Sequence, residues 1–159
     1  MGKLREPLKE IATCGLPSAL EVMGERWSFL LLRAAFNGLK HFEEFSHELG
    51  IARNILSNRL TRLVEHEVMT RQPCADDRRK VEYCLTPKGI DLLPAMLALR
   101  QWGERYGENV TSELVLVDAR DGEPVSPITI HAADGRELGW HDLAWCHHDH
   151  VGKKVADCC

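Results

Sequence analysis

Apolar residues fall at helical intervals through the first part of the chain. Leu20, Val22, Met23, Trp27, Leu30, Leu31 and Ala34 recur at such spacings with a break at Gly24, which predicts a short helix and then a longer one from about Trp27 to Phe36. Asn37-Gly38 ends it. A third helix is expected from about Phe42 to Leu49, with Phe42, Phe45 and Leu49 on its buried side and Gly50 as its stop. The next, about Ala52 to Glu67, carries Leu56, Leu60, Leu63 and Val64 on one stripe and Arg53, Asn54, Ser57, Asn58, Thr61 and Arg62 on the other.

The periodicity then changes. Val68 to Cys74 and Lys80 to Leu85 alternate loosely and are rich in β-favouring residues, with the polar turn Ala75-Asp76-Asp77-Arg78-Arg79 between them, so a hairpin with a basic tip is predicted. A turn centred between Asp77 and Arg78 would pair Cys74 with Val81 and Cys84 with Arg71, too far apart for the two thiols to bridge. Thr86-Pro87 should start a long helix reaching Tyr106, kinked or weakened at Pro94. Beyond Gly107, Leu114 to Val117 and Ile128 to Ile130 read as short strands, with similar turns at Asp121-Gly122-Glu123 and Asp134-Gly135-Arg136. The expected fold is mainly α with a small β-hairpin wing, a winged helix-turn-helix, plus a small C-terminal β-appendage. Three regions follow: 1–107 as the helical and hairpin domain, 108–145 as the appendage, and 146–159 as a flexible tail rich in His and Cys.

The net charge of −4 argues superficially against a nucleic-acid partner. Its distribution alters that picture. Residues 1–107 carry 16 Lys and Arg against 14 Asp and Glu, whereas residues 108–159 carry 4 against 10. From Arg53 to Lys80 there are seven basic residues and four acidic ones, a local excess suited to phosphates. No apolar run approaches the ~20 residues of a membrane span, and Met1 to Ile11 shows no export signal, so a cytoplasmic protein with no membrane partner is expected.

A helix with one apolar stripe and one face of Arg, Asn, Ser and Thr suits the major groove of double-stranded DNA, because those side chains can hydrogen-bond base edges and phosphates. On this reading Arg53, Asn54 and Asn58 reach bases, Ser57 belongs to the same face, and Arg59 and Arg62 meet phosphates. Arg78, Arg79 and Lys80 on the wing complete the footprint. No phosphate-cradling Gly loop, nucleophile elbow or His-Glu-x-x-His helix is present, so an enzyme is not expected, and no cofactor is implied.

The stretch from Cys14 to Gly103 resembles the HxlR family of winged-helix regulators. The likeness is carried by Ala19-Leu20-Glu21-Val22-Met23-Gly24-Glu25-Arg26-Trp27, His41-Phe42-Glu43-Glu44-Phe45, Leu56-Ser57-Asn58-Arg59-Leu60 and Val81-Glu82-Tyr83-Cys84-Leu85-Thr86. The resemblance implies a transcriptional regulator, more often a repressor, that binds inverted-repeat operators as a homodimer through its N-terminal segment and the helix after the wing. The chain departs from the family pattern at Gly15 and Glu25. Ala52 stands where a capping Ser is frequent, and Glu67 where a Gly gives an easy left-handed turn.

Six cysteines without an export signal should be reduced. Family members include thiol sensors whose N-terminal Cys responds to oxidants or quinones, so Cys14 carries two open readings, a redox sensor or a packed interface contact. Cys146, His147, His148 and His150 supply metal-ligating atoms, but in no standard pair-and-pair spacing. Control by thiol oxidation or a small effector is one expectation. The alternatives are a winged-helix protein-interaction module and a metal-responsive regulator using the tail.

Overall fold

The computed structural model describes residues 13–74, 77, 79–146 and 148–152. The chain divides into two compact units, Ser18–Val125 and a smaller one that includes residues 13–17 and 126–152. The elements in chain order are α1 (Gly15–Met23), α2 (Arg26–Phe36), α3 (Phe42–Leu49), α4 (Arg53–Glu65), β1 (Met69–Pro73), β2 (Val81–Leu85), α5 (Pro87–Ile90), α6 (Leu93–Tyr106), β3 (Ile130–His131) and β4 (Glu137–Leu138). This is the expected mainly helical winged helix-turn-helix with a small C-terminal two-stranded sheet.

The core of the larger unit is the meeting of three apolar stripes. Leu31 and Leu32 of α2, Phe45 of α3, and Leu56, Leu60 and Leu63 of α4 are almost wholly buried, with Ile51, Val68 and Met69 beside them. Phe45 alone among the three expected apolar residues of α3 is fully buried, while Phe42 and Leu49 lie at the margin. Burial of each large side chain is worth about 1.5–3 kcal/mol. Gly50, at φ 58°, closes α3 in the left-handed region and lets the chain turn sharply into α4.

One side chain fastens the end of α4 to the wing and the following helix. The Thr86 hydroxyl donates to the Glu67 carbonyl at 2.6 Å, and its oxygen accepts from the Gly89 N–H at 3.1 Å as the cap of α5. The Thr86 N–H also donates to the Val68 carbonyl. A Cβ on Gly89 would lie 2.2 Å from that same carbonyl oxygen, so the approach of α5 to the chain before β1 requires glycine.

Three expectations change in detail. The wing pairs Thr70 with Cys84, Arg71 with Tyr83 and Pro73 with Val81, one residue out of the expected register. The Cys74 N–H donates to the Lys80 carbonyl, so Cys74 lies opposite Lys80, and both Cys74 and Cys84 are free thiols. Pro94 does not kink a long helix. The chain breaks after Ile90 and Pro94 sits in the first turn of α6, where its missing N–H is no loss, leaving α6 about 21 Å long. The expected strand at Leu114 to Val117 is reduced to a single bridge between Val117 and Pro124, whose ring nitrogen has no hydrogen to extend a ladder. In the smaller unit, the only pairing among the described residues is Ile130–His131 with Glu137–Leu138.

The two Asp-Gly turns do repeat one geometry. Asp121 accepts from the Glu123 N–H at 3.0 Å and Asp134 from the Arg136 N–H at 3.1 Å, with Gly122 and Gly135 at positive φ.

Two positions hold avoidable strain or lost capping. Ala52 occupies the N-cap of α4 with no side-chain hydrogen bond, and Glu67 adopts φ 58°, so the left-handed turn is retained without glycine. Ala52→Ser is expected to raise stability by about 1 kcal/mol, and Glu67→Gly by up to about 1 kcal/mol. Denaturant unfolding monitored by circular dichroism checks both, a lower midpoint for either variant being the contrary outcome.

Candidate nucleic-acid interface

The scaffold turns the Leu56, Leu60, Leu63 stripe inward and so presents the opposite side of α4 to solvent. Asn54, Ser57, Asn58 and Thr61 are exposed there, as is Arg53 in the first turn. The sequence-predicted uncharged readers therefore share one accessible helix face.

The arginines are placed differently. Arg53 reaches back to α3, giving two hydrogen bonds to the Glu43 carboxylate at 2.5 and 2.8 Å, with its guanidinium carbon 4.8 Å from the centre of the Phe42 ring. The hydrogen-bonded guanidinium holds the Glu43 carboxyl below the usual range, and the carboxylate holds Arg53 above its own. Both side chains remain mostly exposed, at 65% and 72%, so the pair can exchange partners with solvent or an anion.

Arg59 and Arg62 face the scaffold. The Arg59 side chain is only 16% exposed and forms an ion pair with Glu25, just before α2. Arg62 donates to the Glu21 carbonyl at 2.5 Å and to its carboxylate at 2.8 Å, bracing α4 against α1. Glu25 is one of the departures from the family pattern noted in the sequence. Its partner was not readable there, because an ion pair between Glu25 and Arg59 depends on the packing of two helices.

On the wing, Arg79 is 92% exposed, with its Nε 3.3 Å from Asp77, and Lys80 is exposed. Arg78 lies outside the described residues. Arg71, on the exposed part of β1, adds a cation that sequence reasoning passed over.

The junction between α3 and the wing is built on backbone contacts. The Tyr83 N–H donates to the Lys40 carbonyl at 2.8 Å, drawing residues 40 and 41 alongside β2. His41 Nδ1 lies 3.1 Å from the Val81 carbonyl oxygen. Glu44 accepts from the N–H groups of Lys40 and His41, each at 2.9 Å, and these bonds hold its carboxyl below the ordinary value.

Cys14 immediately precedes α1 and is partly accessible. Cys74, by contrast, is buried, and burial followed by the neighbouring Glu82 carboxylate pushes its thiol above the usual range. Cys146 and His148 are exposed. His147 and the side chain of His150 lie outside the described residues.

These features define a winged helix-turn-helix module with an open recognition-helix face. The model for the HxlR-like helix-turn-helix family matches residues 22–111, more than half of the chain. The chain belongs to that family. It is 47% identical over 88 residues to Rv3095 of Mycobacterium tuberculosis, an uncharacterised HTH-type transcriptional regulator, matching 55% of this chain and 56% of that protein. The match thus spans little more than half the length of that relative. Among solved structures, PA1607, a candidate transcription factor, superposes with a TM-score of 0.79 at 41% identity over 87% of this chain and 98% of its own. The redox regulator HypR in its oxidised form gives 0.53 at 31% identity, over 58% and 96%.

The Glu44 cap provides a test of the junction. Because its folded carboxyl titrates below the ordinary 4.5, its stabilising effect is present above that pH and is lost as the pH falls through the folded value. Thermal melts from pH 6 to about 2.5 should therefore show a shallower acid loss in Glu44→Gln than in the wild type. Parallel curves would contradict the assigned cap.

Proposed function

We propose that this protein is a DNA-binding transcriptional regulator that works as a homodimer, reading operator bases with the exposed face of α4 and holding the adjacent backbone with its wing. The observation that carries this reading is the outward row of Asn54, Ser57, Asn58 and Thr61 on a helix whose opposite stripe is locked in the core. The regulators and transcription factor among its relatives support the same assignment.

In this reading Asn54, Ser57 and Asn58 meet base edges, and Arg53 exchanges Glu43 for a phosphate or a base. Arg78, Arg79 and Lys80 hold the neighbouring backbone. Arg59 and Arg62 act through position, since their ion pairs with Glu25 and Glu21 set the angle of α4. The three arginines of α4 already have carboxylate partners, so the salt dependence of binding should be smaller than their number suggests.

For the homodimer, the support is an apolar row on α6. Leu99, Trp102 and Tyr106 are 53%, 64% and 63% exposed, too much apolar surface on one helix to leave to water without purpose. Binding at inverted repeats follows from two such heads related by a twofold axis, about one DNA turn apart at ~34 Å, and repression is the proposed consequence of that binding. Cys14 is the proposed redox-responsive thiol, supported by its accessibility at the start of α1 and by the redox regulator among the structural relatives.

Selection from a random duplex library tests the reading head. Asn54→Ala and Asn58→Ala should relax base preference at particular positions, each costing about 1–3 kcal/mol against the preferred site. Arg79→Ala should weaken all sequences alike and lower the salt slope by about 1. Unaltered binding in all three variants would refute the assignment.

Trp102→Glu should convert the dimer to monomer in light scattering at micromolar concentration and weaken operator binding at least tenfold. A dimer of unchanged affinity would place the interface elsewhere.

A further inference from the structure

Where the wing meets the start of α3, three side chains with different ligand chemistries converge. A ring nitrogen of His41, the sulfur of Cys74 and a carboxylate oxygen of Glu82 all lie within 4.8 Å of one another. It is the one such His, Cys, Asp and Glu group among the described residues. The residues come from the N-cap of α3, the position just after β1 and the second position of β2, so the fold rather than local sequence brings them together.

Neighbouring contacts bias the His41 ring and hold its loop beside the hairpin. His41 Nδ1 contacts the Val81 carbonyl at 3.1 Å, which favours the tautomer with its proton there and the basic lone pair on Nε2. The Tyr83–Lys40 backbone bond keeps that loop alongside β2. Cys74 and Glu82 lie on the same side of the hairpin, because Cys74 stands opposite Lys80 and Glu82 is two residues further on. Cys74 is 8% exposed and His41 and Glu82 are partly buried, so a bound ion would be shielded from water on most sides.

We propose that His41, Cys74 and Glu82 bind one divalent ion of the zinc class, which fastens the wing to the start of α3. The donor set of imidazole, thiolate and carboxylate is one that zinc accepts, at about 2.0–2.3 Å per bond. Ligand atoms around a tetrahedral ion at those distances lie roughly 3.3–3.8 Å apart. Closing from 4.8 Å therefore takes about 1 Å of side-chain rotation and no change of fold. On binding, the Cys74 thiol loses its proton to water and the sulfur lone pair forms the metal bond, while the fourth position is left to water. The ion would restrict the hairpin that carries Arg79 and Lys80. Ion binding stands independently of the DNA reading, and only its consequence for operator affinity rests on that reading.

The test is titration of the metal-free full chain with cobalt(II) and zinc. One cobalt per chain should give a thiolate-to-cobalt charge-transfer band that zinc abolishes. The band should persist when Cys14, Cys84, Cys146, Cys158 and Cys159 are all changed to Ser. It should disappear in Cys74→Ser, and affinity should fall at least tenfold in His41→Ala and Glu82→Gln. Circular dichroism of each variant establishes folding, and Glu82→Gln, a near-isosteric change on a partly exposed strand, keeps the test decisive if Cys74→Ser is unstable. Zinc should also slow tryptic cleavage after Arg79 in the wild type and leave Glu82→Gln unaffected. A band that survives Cys74→Ser, or that is lost only with Cys146→Ser or His148→Ala, would overturn the proposal in favour of the C-terminal tail. Wild-type affinity in both His41→Ala and Glu82→Gln would overturn it as well.

Discussion

Leu56, Leu60 and Leu63 press one side of α4 against Phe45 of α3 and Leu31 and Leu32 of α2, and all six are essentially excluded from water. That contact decides more than stability. A helix anchored along one stripe has its rotation about its own axis fixed, so Asn54, Ser57 and Asn58 are turned outward as a consequence of what is turned inward. The wing depends on the same anchor, since Val68 and Met69 extend the core directly from the end of α4 into β1. Thr86 then ties that corner to the start of α5.

Electrostatics refine the placement. Glu21 and Glu25, from α1 and the turn before α2, hold Arg62 and Arg59 at the edge of the core, converting apparent DNA-binding charge into struts. Arg53 is held by Glu43 in a more exposed and exchangeable pair. Net positive charge is therefore modest on the exposed face of α4, so in the proposed function recognition falls more heavily on neutral hydrogen-bonding side chains and on the wing cations.

Much of this was legible in the sequence because it follows from local rules. Gly50 marks the end of α3, the leucine stripe marks the buried side of α4, and Thr86-Pro87 marks a helix start, each by chemistry acting over three or four residues. The misjudged features depend on distant partners or on competition between local signals. The wing register shifts by one residue because the long polar tip does not specify it. At Pro94 the apolar pattern ran through a break between helices that the missing N–H made favourable. Arg59 read as a phosphate contact, whereas Glu25, in the turn before α2, is brought beside it by the fold. His41, Cys74 and Glu82, separated by 33 and 8 positions, have no spacing signature at all, and only the path of the hairpin past residues 40 and 41 assembles them.

In the proposed function one face of α4 and the wing form the DNA-contacting surface. Its most direct test is a backbone-amide NMR titration of the isotopically labelled full chain with a duplex carrying its selected site. The largest shift changes should cluster at Arg53 to Asn58 and at Arg79 and Lys80, with residues 126–152 little affected. Changes concentrated in residues 126–152, with α4 and the wing unmoved, would contradict it.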